Sequence, residues 1–168
     1  MRILGIDPGL RITGYGAIAI DGERARLIEA GILVPDERAP LERRLGTLYA
    51  EARALIGTLE PEIVVIEQLW SSYRHPATAV LMGHARGVLC LAAHEGGVAV
   101  RDLGHALVKR ALTGSGAARK EQVKRMVMLR LGLQVAPQPD DVSDALALAL
   151  AFANVESGRR RLARAGIA

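Results

Sequence analysis

The sequence predicts an α/β fold, in which helices flank one β-sheet. Three observations predict this class. The chain begins with three short apolar segments separated by turn sequences, strand-like and helix-like segments follow, and the segment IVVIE is apolar up to its last residue. Strands connected by helices are typical of sheets built with helical crossovers. We therefore expect one α/β domain rather than a helical bundle or a β-sandwich.

Length and composition also suit a single domain. The chain has 168 residues, a net charge of +4 and one cysteine, Cys90. One cysteine cannot form an internal disulfide, and no apolar run is long enough to cross a bilayer. We expect a soluble, cytoplasmic protein, whose positive charge is compatible with a polyanionic partner without requiring one.

The first three strands are expected at residues 2–6, 13–20 and 25–34. Each is a short apolar segment, and the turns between them carry the sequences PGLR and DGER. Short turns of this kind join neighbouring strands in antiparallel order. The N-terminal part of the chain is therefore predicted to be a three-stranded antiparallel unit.

The middle of the chain is predicted to contain two helices around a strand. Apolar residues recur every three or four positions from Leu41 to Leu59, which is the period of an amphipathic helix. IVVIE, at residues 63–67, has the pattern of a strand covered on both faces. The helix expected at 76–95 is apolar nearly all round, which indicates a second buried side against another subunit. Its expected core residues are Leu81, Ala85, Val88, Leu89 and Ala92.

The C-terminal part is expected to add a strand at 97–103 and helices near 104–112 and 119–131. A final helix is predicted from Asp141 to about Asn154. We expect residues 1–157 to form the domain and residues 158–168 to form a flexible basic tail. The arginines of that tail are Arg159, Arg160, Arg161 and Arg164.

Acidic residues occur where predicted strands end and where the last helix begins. Asp7 follows the first strand, Glu67 ends IVVIE, and Asp141 and Asp144 are three residues apart, on one helical face. Four carboxylates meeting at one end of a sheet would repel each other strongly. Divalent cations remove that repulsion, and Mg²⁺ prefers oxygen ligands. The pattern therefore indicates a metal site.

Each carboxylate also has a simpler interpretation when it is taken alone. Asp7 could shape the turn at Pro-Gly, Glu67 could face solvent, and Asp144 could complement the helix dipole. Asp140 stands beside Asp141, and we assign Asp140 to the helix N-cap and Asp141 to metal binding. The metal site is absent only if all the simpler interpretations hold together.

Five motifs, in their order along the chain, resemble those of the RuvC family of bacterial crossover-junction endonucleases. They are GIDPGLRITGYG, IEQLW, GHARGV, VKRALTGSGAARKEQV and DVSDALALAL, and they cover nearly the whole chain. IDPG alone would be weak, because actin-like ATPases begin with a related strand and turn. The ordered set is specific.

The resemblance implies a ribonuclease-H-like fold with a mixed five-stranded sheet flanked by helices. It also implies a homodimer that resolves Holliday junctions by paired, symmetric, metal-dependent cuts, with the RuvA–RuvB branch-migration complex as a partner. The matching metal ligands are Asp7, Glu67, Asp141 and Asp144, which would hold two Mg²⁺ ions, with Mn²⁺ as an alternative. Asp140 leaves the register open by one residue. We choose Asp141 because the family pattern places the third carboxylate three residues before the last.

The resemblance further implies contacts with DNA. Lys109 and Lys120 match lysines that act near the cleaved phosphate, although a lysine on a helix surface is ordinarily only solvated. Trp70 follows Glu67 by three residues and could stack on an unpaired base or close the core. The remaining expected DNA contacts are Tyr73, Arg74, Arg119, Lys124 and Arg125.

Two other functions stay open from the sequence. One is a junction-binding module without cleavage, which the complete carboxylate set disfavours. The other is an actin-like nucleotide-binding ATPase, which the short chain disfavours because such proteins carry a duplicated domain. His84 and His94 show no metal-binding spacing, and we interpret both as packing or interface residues.

Overall fold

A computed structural model of the chain describes residues 1–68 and 76–166. Its centre is a five-stranded sheet in the order β3-β2-β1-β4-β5. β1, β2 and β3 pair antiparallel, whereas β4 and β5 run parallel to β1. The strands are Arg2–Asp7 (β1), Thr13–Asp21 (β2), Arg24–Leu33 (β3), Ile63–Glu67 (β4) and Ala99–Leu103 (β5). The predicted antiparallel unit and the mixed sheet are both confirmed.

Five helices pack around this sheet. They are Leu41–Leu59 (α1), Pro76–Glu95 (α2), His105–Thr113 (α3), Lys120–Leu131 (α4) and Asp140–Arg164 (α5). The first four begin and end within one residue of the predicted bounds. No helix in the described part of the chain is long and apolar enough to cross a membrane.

The predicted end of the last helix near Asn154 is wrong, because α5 continues to Arg164. No proline interrupts this stretch, its leucine, alanine and arginine residues favour helix, and Arg159 pairs with Glu156 one turn earlier. Most of the expected basic tail therefore lies on α5. The flexibility expected of residues 158–168 stays a prediction.

The two faces of the sheet carry separate hydrophobic cores. On one face, α1 and α2 pack against Val64 and Ile66 of β4. On the other face, α3, α4 and α5 pack in a cluster that includes Val65. Successive residues of a strand point to opposite faces, so both faces of β4 are covered. The interpretation of IVVIE as a strand buried on both sides is confirmed.

Three glycines allow α5 to lie directly on the sheet. An added Cβ would lie 2.0 Å from the Ala145 carbonyl oxygen at Gly5, 2.1 Å from that of Asp141 at Gly14, and 2.5 Å from the Leu146 side chain at Gly16. Any larger residue would push the helix away, so the close approach of α5 to the sheet requires glycine at these positions. The start of α5 is thereby held against the start of β2.

One side of α2 is buried and the other is exposed. Ala85, Leu89 and Ala92 belong to the core with α1. The opposite side, which we call the α2 stripe, is formed by Val80, His84, Gly87 and Leu91, all of them exposed. Leu81 was predicted to be in the core, but it is 39% exposed. It lies near the N-terminal end of α2 and lines a surface depression with the loop after β1.

Candidate active site

Asp7 and Glu67 meet because of strand pairing. β1 and β4 are adjacent and parallel, and their register ends with Ile6 opposite Ile66. Asp7 and Glu67 are the next residues on these two strands. The carboxyl ends of parallel strands lie at the same edge of a sheet, which is where ligand sites form in α/β proteins. The sheet thus brings these two carboxylates together, as the sequence predicted.

The first turns of α5 bring the other two acidic residues to the same edge. Gly14 pairs with Asp7 in the sheet and lies against the backbone of Asp141. Asp144 lines one pocket with Asp7 and Glu67. Asp141 instead lines the neighbouring depression, which Asp7 also borders. Asp7 therefore stands between Asp141 on one side and the Glu67–Asp144 pair on the other.

The pocket that holds three of these carboxylates has a charged rim and an apolar floor. Lys109, Lys120 and His105 contribute the basic groups. The floor is made by Val108, Val123, Ala147 and Leu148. Positive and negative groups at the opening of a partly apolar pocket interact more strongly than they would in bulk water.

Asp7 titrates abnormally in this setting. Its pKa is raised from 3.8 to about 8, first by burial and then by the negative charges of neighbouring carboxylates. Those neighbours are Glu67, Asp144 and Asp141, and the positive charge of Lys120 lowers the pKa in part. At neutral pH the Asp7 carboxyl therefore holds its proton. A bound cation would reverse this by favouring the carboxylate form.

Lys120 is held by two carboxylates of α5. Its Nζ lies 2.8 Å from Asp144 Oδ2 and 3.1 Å from Asp140 Oδ2. Burial lowers the pKa of Lys120, but hydrogen bonds to Asp144 and Asp140 outweigh it and raise the pKa to about 12. The lysine is therefore a permanent positive charge beside the acidic cluster.

The N-cap role predicted for Asp140 is wrong. The N-cap residue of α5 is Pro139, and Asp140 is the first residue of the helix. The Asp140 carboxylate instead accepts a hydrogen bond of 2.7 Å from Lys124 Nζ. This bond and the one from Lys120 lower the pKa of Asp140. Asp140 thus pairs with two lysines of the neighbouring α4, which bind its carboxylate more strongly than the backbone amides of α5 would.

The other predicted DNA-contacting residues have different environments. Arg119 and Arg125 are exposed at the start and on the surface of α4. Lys124 is only 14% exposed and is already paired with Asp140. Trp70, Tyr73 and Arg74 lie outside the described residues. Their predicted roles therefore rest on the sequence alone.

Sequence reasoning missed His105. Its Nδ1 lies 2.8 Å from Glu67 Oε1, and the ring lines the pocket. Histidines had been considered only for the regular spacing of metal ligands, and His105 has no such spacing. The available signal was its position two residues after the strand predicted at 97–103, because a strand reached from IVVIE by a helical crossover runs parallel to it and ends at the same edge of the sheet.

The side chains suit a hard divalent cation, although they do not surround one as they stand. In residues 1–68 and 76–166, no three acidic, histidine or cysteine side chains are grouped so that they could hold a metal ion. Asp144 is bonded to Lys120 and Glu67 to His105 instead. Mg²⁺ nevertheless prefers the oxygen donors that these side chains provide. Burial and the negative charge of the neighbouring carboxylates keep Asp7 protonated, and a cation would compensate that charge.

The family model described as "Crossover junction endodeoxyribonuclease RuvC" matches residues 3–152 of the chain. The chain belongs to the RuvC family. A protein of that description from Moorella thermoacetica is 45% identical over 162 residues, which cover 96% of each chain. The family resemblance inferred from the five motifs is confirmed.

Solved structures of the family have the same fold. The structure of Thermus thermophilus RuvC is similar with a TM-score of 0.86 and 36% identity, covering 99% of this chain and 98% of that one. T. thermophilus RuvC in complex with a Holliday junction substrate gives a TM-score of 0.84 and 34% identity over the same shares of the two chains. The predicted ribonuclease-H-like fold is confirmed by these similarities.

Proposed function

We propose that this chain is a structure-selective endonuclease that resolves Holliday junctions in DNA recombination and repair, acting in the cytoplasm. The observation that carries the proposal is the meeting of Asp7, Glu67 and Asp144 in one pocket, from three elements distant in sequence. Membership of the RuvC family over residues 3–152 supports the same reaction. The T. thermophilus relative in complex with a Holliday junction supports the substrate.

In this proposal Asp7, Glu67, Asp141 and Asp144 hold two Mg²⁺ ions, with Mn²⁺ as an alternative. Bound ions of this kind activate a water molecule for attack on the phosphodiester and stabilise the leaving oxygen. Asp7 would release its proton to solvent when cations bind, because its pKa is raised by burial and by neighbouring negative charges that the cations would compensate. To bind a cation, Asp144 would have to give up its hydrogen bond with Lys120.

The lysines of the pocket act on the phosphate. With Asp144 engaged elsewhere, the ammonium of Lys120 would keep only its contact with Asp140 and could neutralise charge that develops on the scissile phosphate. Lys109, which lines the same pocket from α3, has the same role. These two residues and the carboxylates are the catalytic set.

The DNA backbone on either side of the scissile phosphate requires further positive charge. Arg119 is exposed directly before Lys120 and extends the basic surface along α4. Lys124 adds positive charge to that surface while it is paired with Asp140. Trp70, Tyr73 and Arg74 are proposed to contact the junction from the segment after β4, with Trp70 stacking on an unpaired base.

A homodimer completes the proposal. In the α2 stripe, the exposed fractions of Val80 and Leu91 are 59% and 47%. Gly83 and Gly87 lie beside them, and apart from adjacent residues and the local helix backbone, no atom in the described part of the chain lies within 4 Å of where their Cβ atoms would be. Two copies related by a two-fold axis would place one site on each of two opposed strands of a four-way junction. The RuvA–RuvB complex is the proposed partner that delivers the junction.

Cleavage of a synthetic four-way junction tests the proposal. With Mg²⁺ or Mn²⁺ the wild-type protein should produce paired nicks at symmetric positions, and linear duplex of the same sequence should stay intact. D21N should cut the junction as the wild-type protein does, because Asp21 is an exposed aspartate at the far end of β2 from the acidic residues. Tight junction binding by the wild-type protein without nicks under either metal would favour the alternative of a binding module and contradict the proposal.

A further inference from the structure

We propose that His105 is a positioning residue that orients Glu67 for metal binding. The proposal rests on the metal-dependent function proposed above. The geometry that carries it is the 2.8 Å contact between His105 Nδ1 and Glu67 Oε1 at the wall of the acidic pocket. The imidazole occupies one carboxylate oxygen and leaves the other, Oε2, for the cation.

Backbone contacts set the place of the imidazole. Leu103, the last residue of β5, pairs with Glu67 in the sheet, and its carbonyl oxygen accepts a hydrogen bond of 3.0 Å from the amide of Gln68. Gly104 is then the N-cap of α3, and His105 is its first residue. Side chains of a helix tilt toward its N-terminus, so His105 points back toward the strand ends. The end of β5 and the start of α3 thus fix the backbone from which the imidazole extends.

The hydrogen bond assigns the proton. A carboxylate can only accept, so Nδ1 of His105 carries the hydrogen and donates it to Oε1. Within the described residues, His105 is the one side chain that hydrogen-bonds Glu67. The neighbouring Asp144 is held by another group, Lys120. Glu67 therefore depends on His105 for its orientation.

Orientation before binding has a thermodynamic consequence. A glutamate side chain has several rotatable bonds, and fixing them when a ligand binds costs conformational entropy. A second group that holds one carboxylate oxygen removes part of that cost in advance. Partners of this kind behind metal ligands typically change metal affinity by tenfold to a hundredfold.

The competing description is an ordinary surface contact. His105 is 62% exposed and Glu67 is 25% exposed, and exposed ion pairs contribute little to stability. On that description, removing the imidazole would leave metal affinity unchanged. A measurement of metal binding without DNA therefore separates the two accounts.

Titration of the protein with Mn²⁺, followed by the EPR signal of the free ion, provides this measurement. H105A should bind Mn²⁺ about tenfold or more weakly than the wild-type protein, whereas its melting temperature in chelator should be unchanged. H105N should recover most of the affinity, because the asparagine Nδ2 can donate from nearly the position of the imidazole Nδ1. H94A, which removes an exposed histidine on α2, should bind as the wild-type protein does.

Junction cleavage adds a second readout. In H105A the Mg²⁺ concentration that gives half-maximal cleavage should rise by the same factor, while the rate at saturating Mg²⁺ should change less. Unaltered Mn²⁺ affinity in H105A, or an H105N variant that binds Mn²⁺ as weakly as H105A, would overturn the role of His105 and leave the proposed function intact. A wild-type protein that neither binds Mn²⁺ nor cuts junctions would overturn the proposed function as well.

Discussion

Gly14 of β2 faces Asp141 of α5 so closely that an added Cβ would lie 2.1 Å from the Asp141 carbonyl oxygen. Gly14 is also the sheet partner of Asp7. One glycine thus touches, through its backbone, two of the four proposed metal ligands. The spacing between the end of β1 and the first turn of α5 is set at this point.

Replacing Gly14 by alanine should therefore displace the start of α5. We expect G14A to lose about 1–3 kcal/mol of stability, the usual cost of overpacking, and to bind Mn²⁺ more weakly. G46A is the control, because a Cβ at Gly46, in the second turn of α1, meets no atom within 4 Å. Alanine is the better helix former, so G46A should be equally stable or more stable. Urea unfolding and Mn²⁺ titration of both variants test the prediction, and normal metal binding by G14A would contradict it.

The raised pKa of Asp7 predicts a stability that falls as pH rises. The folded protein holds this proton up to pH of about 8, whereas the unfolded chain releases it near pH 3.8. The contribution of the protonated Asp7 to the free energy of unfolding is therefore fully present below pH 4. It is lost between pH 4 and pH 8, with a slope of up to about 1.4 kcal/mol per pH unit. D7N cannot ionise, so without metal it should become progressively more stable than the wild-type protein across that range.

Unfolding by urea in the presence of a chelator measures this difference. The free energy of unfolding of D7N minus that of the wild-type protein should increase from pH 5 to pH 7 and level off above pH 8. Saturating Mg²⁺ should reverse the order, because the ions stabilise only a protein that binds them. A difference that does not depend on pH would show that Asp7 is not held protonated by its surroundings.

Asp140 and Asp141 should differ sharply although they are adjacent. Asp140 is bonded to Lys124 and Lys120, while Asp141 adds its charge to the environment of Asp7. We expect D141N to lower junction cleavage by about a hundredfold or more, as removal of one electrostatic stabiliser does. D140N should retain most activity, since it removes only a partner of the two lysines. Equal losses in the two variants would contradict this assignment.

The α2 stripe should carry the dimer contact. A charge at the centre of an apolar interface is left without solvent or a partner, so L91D should dissociate the dimer. L129D is the control, because Leu129 on α4 is 73% exposed and lies outside the stripe. Sedimentation at micromolar protein should show a monomer for L91D and a dimer for L129D. Dimers of equal strength in both variants would place the interface elsewhere.

Much of the site could be predicted because it follows from local rules. Asp7 and Glu67 end two apolar strands, and Asp144 lies in the first turns of a helix that begins beside them. The role of Asp140 could not be predicted, since the choice between capping and pairing depends on where Lys120 and Lys124 lie on α4. A helix start in the sequence does not reveal that neighbour.

Two further features needed the fold itself. The contact of His105 with Glu67 joins residues 38 positions apart and depends on the pairing of β4 with β5. The end of α5 was placed ten residues early because the arginine-rich segment after Asn154 was expected to be a flexible tail, but the Arg159–Glu156 pair and good helix formers continue the helix to Arg164. The predictions for Trp70 and its neighbours still depend on sequence alone.

The central claim is that the four carboxylates hold divalent ions, and anomalous scattering from crystals soaked in Mn²⁺ tests it most directly. The account predicts manganese peaks at the edge of the sheet, with oxygens of Asp7, Glu67, Asp141 and Asp144 within about 2.3 Å, and no such peaks in D7N crystals. Manganese bound elsewhere in a protein that still cuts four-way junctions, with these carboxylates left uncoordinated, would contradict it.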